Sequence, residues 1–574
     1  MAHIIAALRE NPTLDMSGVE RIMREQNGRA ATRANPRPLT KRLLMPFLLR
    51  MRAEDTELWR RWALTEEEFT RLVSLLRVKP RRTQSGVATI TVITRPETCR
   101  GACIFCPTEP GMPKSYLADE PACQRALQSS FDPYLQVSRR LRALSEMGHP
   151  TGKAEIIILG GTWDDYPENY RVWFVTRIFR ALNGFRGLAA REAGEPKTAG
   201  PAGEPAPGPA TEEAFAELFT CQRENEDAPV RCVGLVVETR PDCITPESLT
   251  FARACGATKI QMGVQSLDEE ILAANGRPMT LDTIRRAFAL LRLFGFKSHV
   301  HVMLNLMGAT PESDVAGYRR LMEEGDFRPD EVKLYPCVLI RGAALTGPWQ
   351  RGEWVPYSHD ELVRVCAECL LATPANTRIS RMIRDFSAGD ILAGDKTANL
   401  RQAAEAKAMC LAAERGVPLQ EMRSREITRG TLDPGAIALR EMPFSTSTGR
   451  EVFLEWTDDA DRLAGFLRLA LPSSDLDGTL TAGTPYRSDT ALIREVHVYG
   501  FAANVGAGPE NAQHQGLGRQ LVERAAQLAA EAGFARLAVI SAVGTRRYYE
   551  RLGFSPADAP DPHRVATLYQ YRSL

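Results

Sequence analysis

The stretch VITRPETCRGACIFCPTEPG, residues 92–111, decides how the rest of the chain reads. An apolar run of strand character, VATITVIT (87–94), leads into it, and Cys99, Cys103 and Cys106 follow at C-x3-C-x2-C spacing. Thiolates this close together are ligands for zinc or for an iron–sulfur cluster. A structural zinc site wants four ligands, usually as two spaced pairs. No fourth cysteine or histidine follows at a plausible distance, because Cys123 stands 17 residues beyond Cys106 in a helical pattern. Three thiolates on a four-iron cluster leave one iron open to a substrate or cofactor.

Further apolar runs follow: EIIILGG (155–161), CVGLVVET (232–239), KIQMGVQ (259–265), HVHVMLNLMG (299–308), EVKLYPCVLI (331–340) and RISRMIRD (378–385). Most are continuously apolar, as parallel strands covered on both faces are. Amphipathic stretches such as TLDTIRRAFALLRLFG (280–295) lie between them, so an α/β barrel or doubly wound sheet is expected. In a barrel the C-terminal strand ends build the active site. Gly160, Gly161 and Thr162, then Glu238, Thr239 and Arg240, then Gln265 and Ser266, and Asn305, occupy such ends. His299 and His301 alternate on one strand and share a face, a polar barrel lining or a metal pair. Cys366 and Cys369 lie at helical spacing with no partner pair and read as structural. The remaining cysteines read as buried small residues.

The Gly-, Ala-, Pro- and Glu-rich segment starting at 187 is too apolar-poor to offset ordering entropy, and 187–229 is expected to be a flexible insertion. Near residue 424 the texture changes. REVFLEW (450–456), FLRLAL (466–471), ALIREVHVYGF (491–501) and RLAVISAV (536–543) read as strands, and GRQLVERAAQLAAEAG (518–533) as a helix. Gln513-His514-Gln515-Gly516-Leu517-Gly518 stands directly before that helix. Glycines there expose backbone N–H groups, and the helix N-terminus favours a pyrophosphate. The expected domains are a basic helical region (1–84), the barrel (85–390), a linker (391–423) and a C-terminal domain (424–574).

Composition narrows the class. The chain has 574 residues, 44% hydrophobic and 25% charged, as multidomain globular proteins do. Twelve cysteines are too sparse for a disulfide scaffold. No signal peptide and no membrane span are legible, so a cytoplasmic protein with reduced thiols is expected. Lys and Arg (72) nearly cancel Asp and Glu (71), which argues against nucleic-acid binding by bulk charge. The total hides an asymmetry: residues 21–100 hold 18 basic and 8 acidic residues, a candidate phosphate-binding surface.

The C-x3-C-x2-C motif with Phe105 before its last cysteine resembles the radical S-adenosylmethionine (SAM) enzymes. The strand–loop–helix–strand order around Gln513–Gly518, with Tyr548 and Tyr549 in GTRRYYERLGF, resembles GNAT acetyltransferases. Both on one chain resemble the Elongator catalytic-subunit family in its single-chain bacterial or archaeal form. The stretches FDPYLQVSRRLRAL, MGHPTGKAEIIILGGTW, KLYPCVLIRGAAL and VISAVGTRRYYERLGF carry the likeness, which covers residues 36–186 and 230–574. The eukaryotic members have a longer first cysteine gap; this chain has the usual radical-SAM spacing.

The resemblance implies an α/β fold: a partial TIM-type barrel with a basic helical N-terminal region and a GNAT domain. It implies a 4Fe-4S cluster on Cys99, Cys103 and Cys106. SAM would meet Gly160, Gly161, Glu238, Arg240 and Gln265. Acetyl-CoA would meet Lys153, Glu495, Val496, His497, Val498, Gln513, Gly516, Leu517, Gly518, Arg519 and Tyr549, with Tyr548 beside it. The implied reaction makes 5-carboxymethyluridine at the wobble position of tRNA. A SAM-derived deoxyadenosyl radical takes hydrogen from the acetyl methyl, and the carbon radical adds to uridine C5. Oxidation and thioester hydrolysis complete it. The implied partners are the tRNA anticodon stem-loop and an electron donor for the cluster; a homodimer stays open. One alternative keeps the folds but acetylates protein lysines, with a structural iron–sulfur barrel and Glu495 or His497 as base. Another is a non-catalytic tRNA scaffold.

Overall fold

A computed structural model describes residues 1–30, 38–79, 83, 85–187, 203–427, 436–499, 516–556 and 568–574. Seven parallel strands form the central sheet: β1 (Ala88–Ile93), β2 (Lys153–Leu159), β3 (Arg231–Thr239), β4 (Lys259–Gln265), β5 (Lys297–Leu304), β6 (Glu331–Pro336) and β8 (Arg378–Arg381). They neighbour one another in chain order, with β7 (Leu339–Ile340) pairing β9 (Ile391–Ala393) beside them. No pairing joins β1 to β8 among the described residues, so the barrel is open. Helices such as Glu168–Gly184 and Leu281–Leu293 cover its outer face with long runs of buried side chains. That cover is why the strands tolerate continuous apolar sequence.

Five helices from Ala2–Glu10 to Glu66–Leu76 precede the barrel and bury their own core of Ile4, Ile5, Leu8, Met45, Leu48 and Leu72. The helix Glu66–Leu76 begins with a capping box between Thr65 and Glu68. Several charges of this region pair internally, among them Arg9 with Glu68, Lys41 with Glu20 and Arg52 with Glu66.

The second sheet runs β10 (Ile437–Thr446), β11 (Gly449–Asp458), β12 (Leu463–Pro472), β13 (Thr490–Val498), β14 (Arg536–Val539), β16 (Gln570–Ser573), β15 (Ser555–Pro556). It is antiparallel except where β13 meets β14. The helix Leu517–Glu531 packs Leu521, Val522 and Ala525 on one face. β10 was not expected from the sequence; its alternation of half-buried and exposed residues, IALREMPFST, marks it as an edge strand.

Three expectations need correction. Within the supposed flexible insertion 187–229, Glu212–Asn225 is a helix that buries Leu218, Cys221 and Asn225. Asn225 ties it to β3 by accepting from the Cys232 N–H at 2.7 Å and donating to Val230 O at 3.0 Å. The supposed linker 391–423 contains the helix Leu400–Arg415, which packs on His359–Ala372 in the barrel's own layer. Glu421 then accepts from the Ile379 N–H and from Arg401, sewing that segment to β8. Of the cysteines read as buried, Cys410 is exposed and Cys243 half-buried.

The second domain closes the N-terminal end of the barrel. Arg494 of β13 reaches the Phe296 carbonyl and both oxygens of Asp330, at the starts of β5 and β6. Lys297 pairs with Glu495, and Tyr569 donates to Phe294 O at 2.6 Å. Arg253, fully buried, spans to the Ser541 and Leu568 carbonyls. Ala470, Leu492, Ile540, Val543 and Tyr569 belong to the same apolar cluster as the barrel core, so the two domains share one interior.

Candidate active sites at the two ends of the barrel

At the C-terminal end, the cysteine loop leaves β1. Among the described residues no three His, Cys, Asp or Glu converge at the range of a single metal ion. A four-iron cluster needs no such convergence, since each of its cysteines takes a different iron. The loop is held from several sides. The Gly101 N–H points at Cys99 Sγ (3.3 Å), and Cys99 Sγ lies 3.7 Å from Thr162 Oγ1, just after Gly160 and Gly161. Arg277 donates to Cys103 Sγ at 3.5 Å, and the Ile104 N–H donates to Asn275 O. Cys106 donates to Cys103, so within this coupled pair the Cys103 thiol is lowered, helped by the Arg277 and Arg240 guanidiniums, while the Cys106 thiol is raised. A thiolate is the form that binds iron.

Two glycines follow β2. Gly160 and Gly161 have φ of 139° and 116°, which a side chain resists, and a Cβ on Gly160 would collide with Thr94. Tyr166 braces this turn: its one hydroxyl proton lies between Gly160 O (2.7 Å) and Arg95 O (2.9 Å), and its oxygen accepts from Thr94. Arg240 engages Asp242 through two nitrogens, while its third, NH1, is buried without a partner against Gly101. Gln265, at φ 71°, likewise has a buried, unpartnered Oε1. Orphaned buried polar atoms at one mouth of a barrel mark where a polar ligand belongs. Glu238 accepts from Tyr116 at 3.0 Å and lies 3.6 Å from His301 Nδ1.

Not every strand end joins the site. Asn305 spends its side chain on Tyr357 N and Val355 O, Ser266 caps the next turn, and Thr239 bonds Asp164. Cys366 and Cys369 are buried in one helix. His299 and His301 both face the lumen, but they contact Ser380 and Gln261, and burial pushes both well below the ordinary imidazole range.

The N-terminal end holds the other set. Lys153 opens β2 opposite Arg231, whose side chain abuts Gly544 of the second domain. Gly516, φ 134°, starts the helix Leu517–Glu531. A Cβ on Gly518 would meet Tyr548 Oη at 2.8 Å, so the helix start and Tyr548 approach closely. Leu517 is half-buried and Arg519 exposed. Val496 and Val498 pack against the same core. Gln513 lies outside the described residues. Tyr549 is a core aromatic, 5.7 Å from Phe554, so Tyr548 is the tyrosine that lines the helix start.

Glu495 and His497 are both engaged with neighbouring side chains. Burial opposes the Glu495 charge, but Lys297 and Arg468 hold its carboxyl below the usual range. His497 stacks on Phe466 at 5.6 Å and meets Tyr499 edge-on at 4.6 Å, and burial lowers its pKa. Among the described residues Glu495 pairs with Lys297 of the barrel, while His497 lies beside Tyr499, whose hydroxyl donates to Glu426.

Sequence comparison reports the same two halves. Residues 93–316 match the Radical SAM superfamily, 329–410 its C-terminal domain, and 435–554 the acetyltransferase (GNAT) family. A tRNA uridine(34) acetyltransferase of Dehalococcoides mccartyi is 36% identical over 478 residues, covering 82% of this chain and 96% of that protein. Human Elongator complex protein 3 is 31% identical, covering 84% and 85%. The solved structure of the archaeal Methanocaldococcus infernus Elp3 with an N-terminal deletion matches at a TM-score of 0.66 and 30% identity, over 85% of this chain and all of that one.

Proposed function

The chain belongs to the family of tRNA uridine(34) acetyltransferases and Elongator complex protein 3, and from that premise we propose that it forms 5-carboxymethyluridine at the tRNA wobble position from acetyl-CoA. One observation carries the reading: a cysteine loop flanked by the unpartnered Arg240 and Gln265 atoms stands at one end of the barrel, and a second domain with a glycine-led helix start is docked on the other. When bound, a reduced 4Fe-4S cluster with SAM supplies radical chemistry, and acetyl-CoA supplies the two-carbon unit.

Cys99, Cys103 and Cys106 are the residues that would hold the cluster, with Arg277 and the Gly101 N–H stabilising thiolate charge. The Gly160–Gly161 turn would admit a ligand backbone-close, and Arg240 NH1 and Gln265 Oε1 would find in SAM the partners they lack. At the base, Lys153, Val496, Val498, Gly516, Leu517, Gly518 and Arg519 would receive CoA, with Tyr548 at the helix start. Covering helices and the second domain keep bulk water from the lumen, which protects reactive species.

The basic N-terminal helices would grip tRNA. A groove lined by Glu20, Thr40, Lys41, Arg42, Arg77 and Lys79 joins them to the barrel edge. The wobble base must leave the anticodon stack to reach a lumen. An external one-electron donor would reduce the cluster. No helix among the described residues is long and apolar enough to cross a membrane.

The test is anaerobic reconstitution with SAM, reductant, acetyl-CoA and bulk tRNA, followed by mass spectrometry of nucleosides and 5′-deoxyadenosine. Formation of 5-carboxymethyluridine that disappears in Cys103→Ala is the expected result. Lysine acetylation undiminished by that substitution, or tRNA binding with no product, would sink the proposal.

A further inference from the structure

Between the two ends, at mid-height in the lumen, stands a lysine that neither cofactor motif explains. Lys333 of β6 lies opposite His301 of β5 and beside Arg381 of β8 in the sheet register. Its Nζ donates to Gln261 Oε1 at 2.6 Å, and Gln261 is its one hydrogen-bond partner among the described residues. The same amide oxygen also receives His301 Nε2 at 3.3 Å, so its acceptor capacity is filled. No carboxylate lies within ion-pair range of Lys333 among the described residues, although Lys259 and Lys297, one layer lower, both pair with Glu331.

An ammonium has three donors. Lys333 therefore keeps two unspent inside the barrel, on a side chain that still has accessible surface. Burial lowers its pKa to about 8, with the Arg381 and Arg384 guanidiniums adding to the effect and the nearby Glu238 carboxylate opposing it. A buried cation with spare donors is complementary to an oxygen anion. A carboxylate or acyl oxygen needs donors only.

We propose that Lys333, positioned by Gln261, is the acyl-oxygen subsite of the barrel: it holds the carbonyl oxygen of the two-carbon unit and then the carboxylate of the product. The inference rests on the wobble-uridine reading above. It places the growing side chain of the base at mid-height in the barrel, between the cysteine loop and the end on which the second domain is docked.

The test is binding without turnover. Anticodon stem-loop RNAs carrying 5-carboxymethyluridine, its methyl ester or uridine are titrated against reconstituted wild type, Lys333→Met and Lys333→Arg, with no reductant. Wild type should prefer the carboxylate over the ester about tenfold, as a charge-assisted hydrogen bond does. Lys333→Arg should keep part of that preference. Lys333→Met should lose it while retaining iron content, melting temperature and affinity for the uridine RNA. A Lys333→Met protein that still prefers the carboxylate overturns the assignment. So does a wild type that forms 5-carboxymethyluridine in the turnover assay yet binds acid and ester alike. A wild type that forms none overturns the underlying reading instead, so the two failures are distinguishable.

Discussion

Single atoms set the geometry of the cysteine loop. Gly276 has φ 67°, and a Cβ there would stand 2.5 Å from the Ala102 carbonyl oxygen, between Cys99 and Cys103. Gly276→Ala should cost about 1–2 kcal/mol, because it combines a left-handed backbone with a backbone clash. The loop must shift to relieve it, so reconstituted iron per chain should fall along with thermal stability. Full iron loading with an unaltered cluster spectrum would show that the loop's position is not what holds the metal. Gly276 carries no cofactor motif, and nothing in the sequence marks it. The cysteines were legible because their chemistry requires a spacing. Their support was not, because Gly276, Asn275 and Arg277 reach them only through the fold.

Elements explain the corrections to the domain map. The segment 391–423 reads as a connector because it is rich in alanine and has no long run of large apolar residues, yet Ala404 and Ala408 bury against the helix His359–Ala372. Small side chains allow close helix packing while adding little to a hydropathy profile. Glu421 is fully buried and accepts from Ile379 N (2.7 Å), Arg401 (3.0 Å), Ser424 N and Ser424 Oγ. Glu421→Ala should cost roughly 2–3 kcal/mol, because it strips a fully buried carboxylate from the Ile379 N–H and leaves Arg401 with only Glu405 and the Ile379 carbonyl. Chemical denaturation should show a lower midpoint. A midpoint within error of wild type would mean that water replaces the carboxylate, and the segment would then be a linker after all. The helix Glu212–Asn225 was missed for a related reason: its sequence adjoins a Pro- and Gly-rich run that dominates the local composition.

At the scale of the molecule, the two domains are joined by buried charge as well as shared apolar surface. Burial opposes ionisation of Asp330, but Arg494 and Arg468 outweigh it and hold the carboxyl well below the usual range. Asp330→Asn leaves two guanidiniums under-compensated and should cost roughly 3–5 kcal/mol. The sign of the pH dependence follows from the depressed pKa. The folded state binds the proton less tightly than the unfolded state, so the contribution is full above about pH 4 and is lost as pH falls further. Calorimetry of wild type and Asp330→Asn should therefore show a melting difference that is constant from pH 7 to 5 and narrows in stronger acid. A difference that widens there would refute the ionic account. Charge at the other pole of the molecule serves a different role. Replacing Arg42 and Lys79 by Ala should weaken tRNA binding and reduce the log–log salt slope by about 0.7–0.9 for each phosphate no longer neutralised. Unchanged affinity and slope would move the tRNA surface elsewhere.

The sequence by itself determined the chemistry classes and the parallel-sheet fold, since thiolate spacing, a glycine-rich helix start and doubly buried apolar strands are local requirements written in consecutive residues. It also showed that a near-neutral total conceals a basic N-terminal stretch. Which strand-end residues turn inward was decided only by the tertiary structure: Arg240 and Gln265 keep unpartnered atoms, whereas Asn305 and Ser266 are consumed by neighbouring loops. So were the partners of two β13 residues: Glu495 pairs with Lys297 of the barrel, and His497 stacks on Phe466. The physical reason is range. A ligand spacing or a strand period is satisfied within a few residues, while Lys333 meets Gln261 across 72 positions, and only the assembled sheet puts that ammonium where an acyl oxygen would need it.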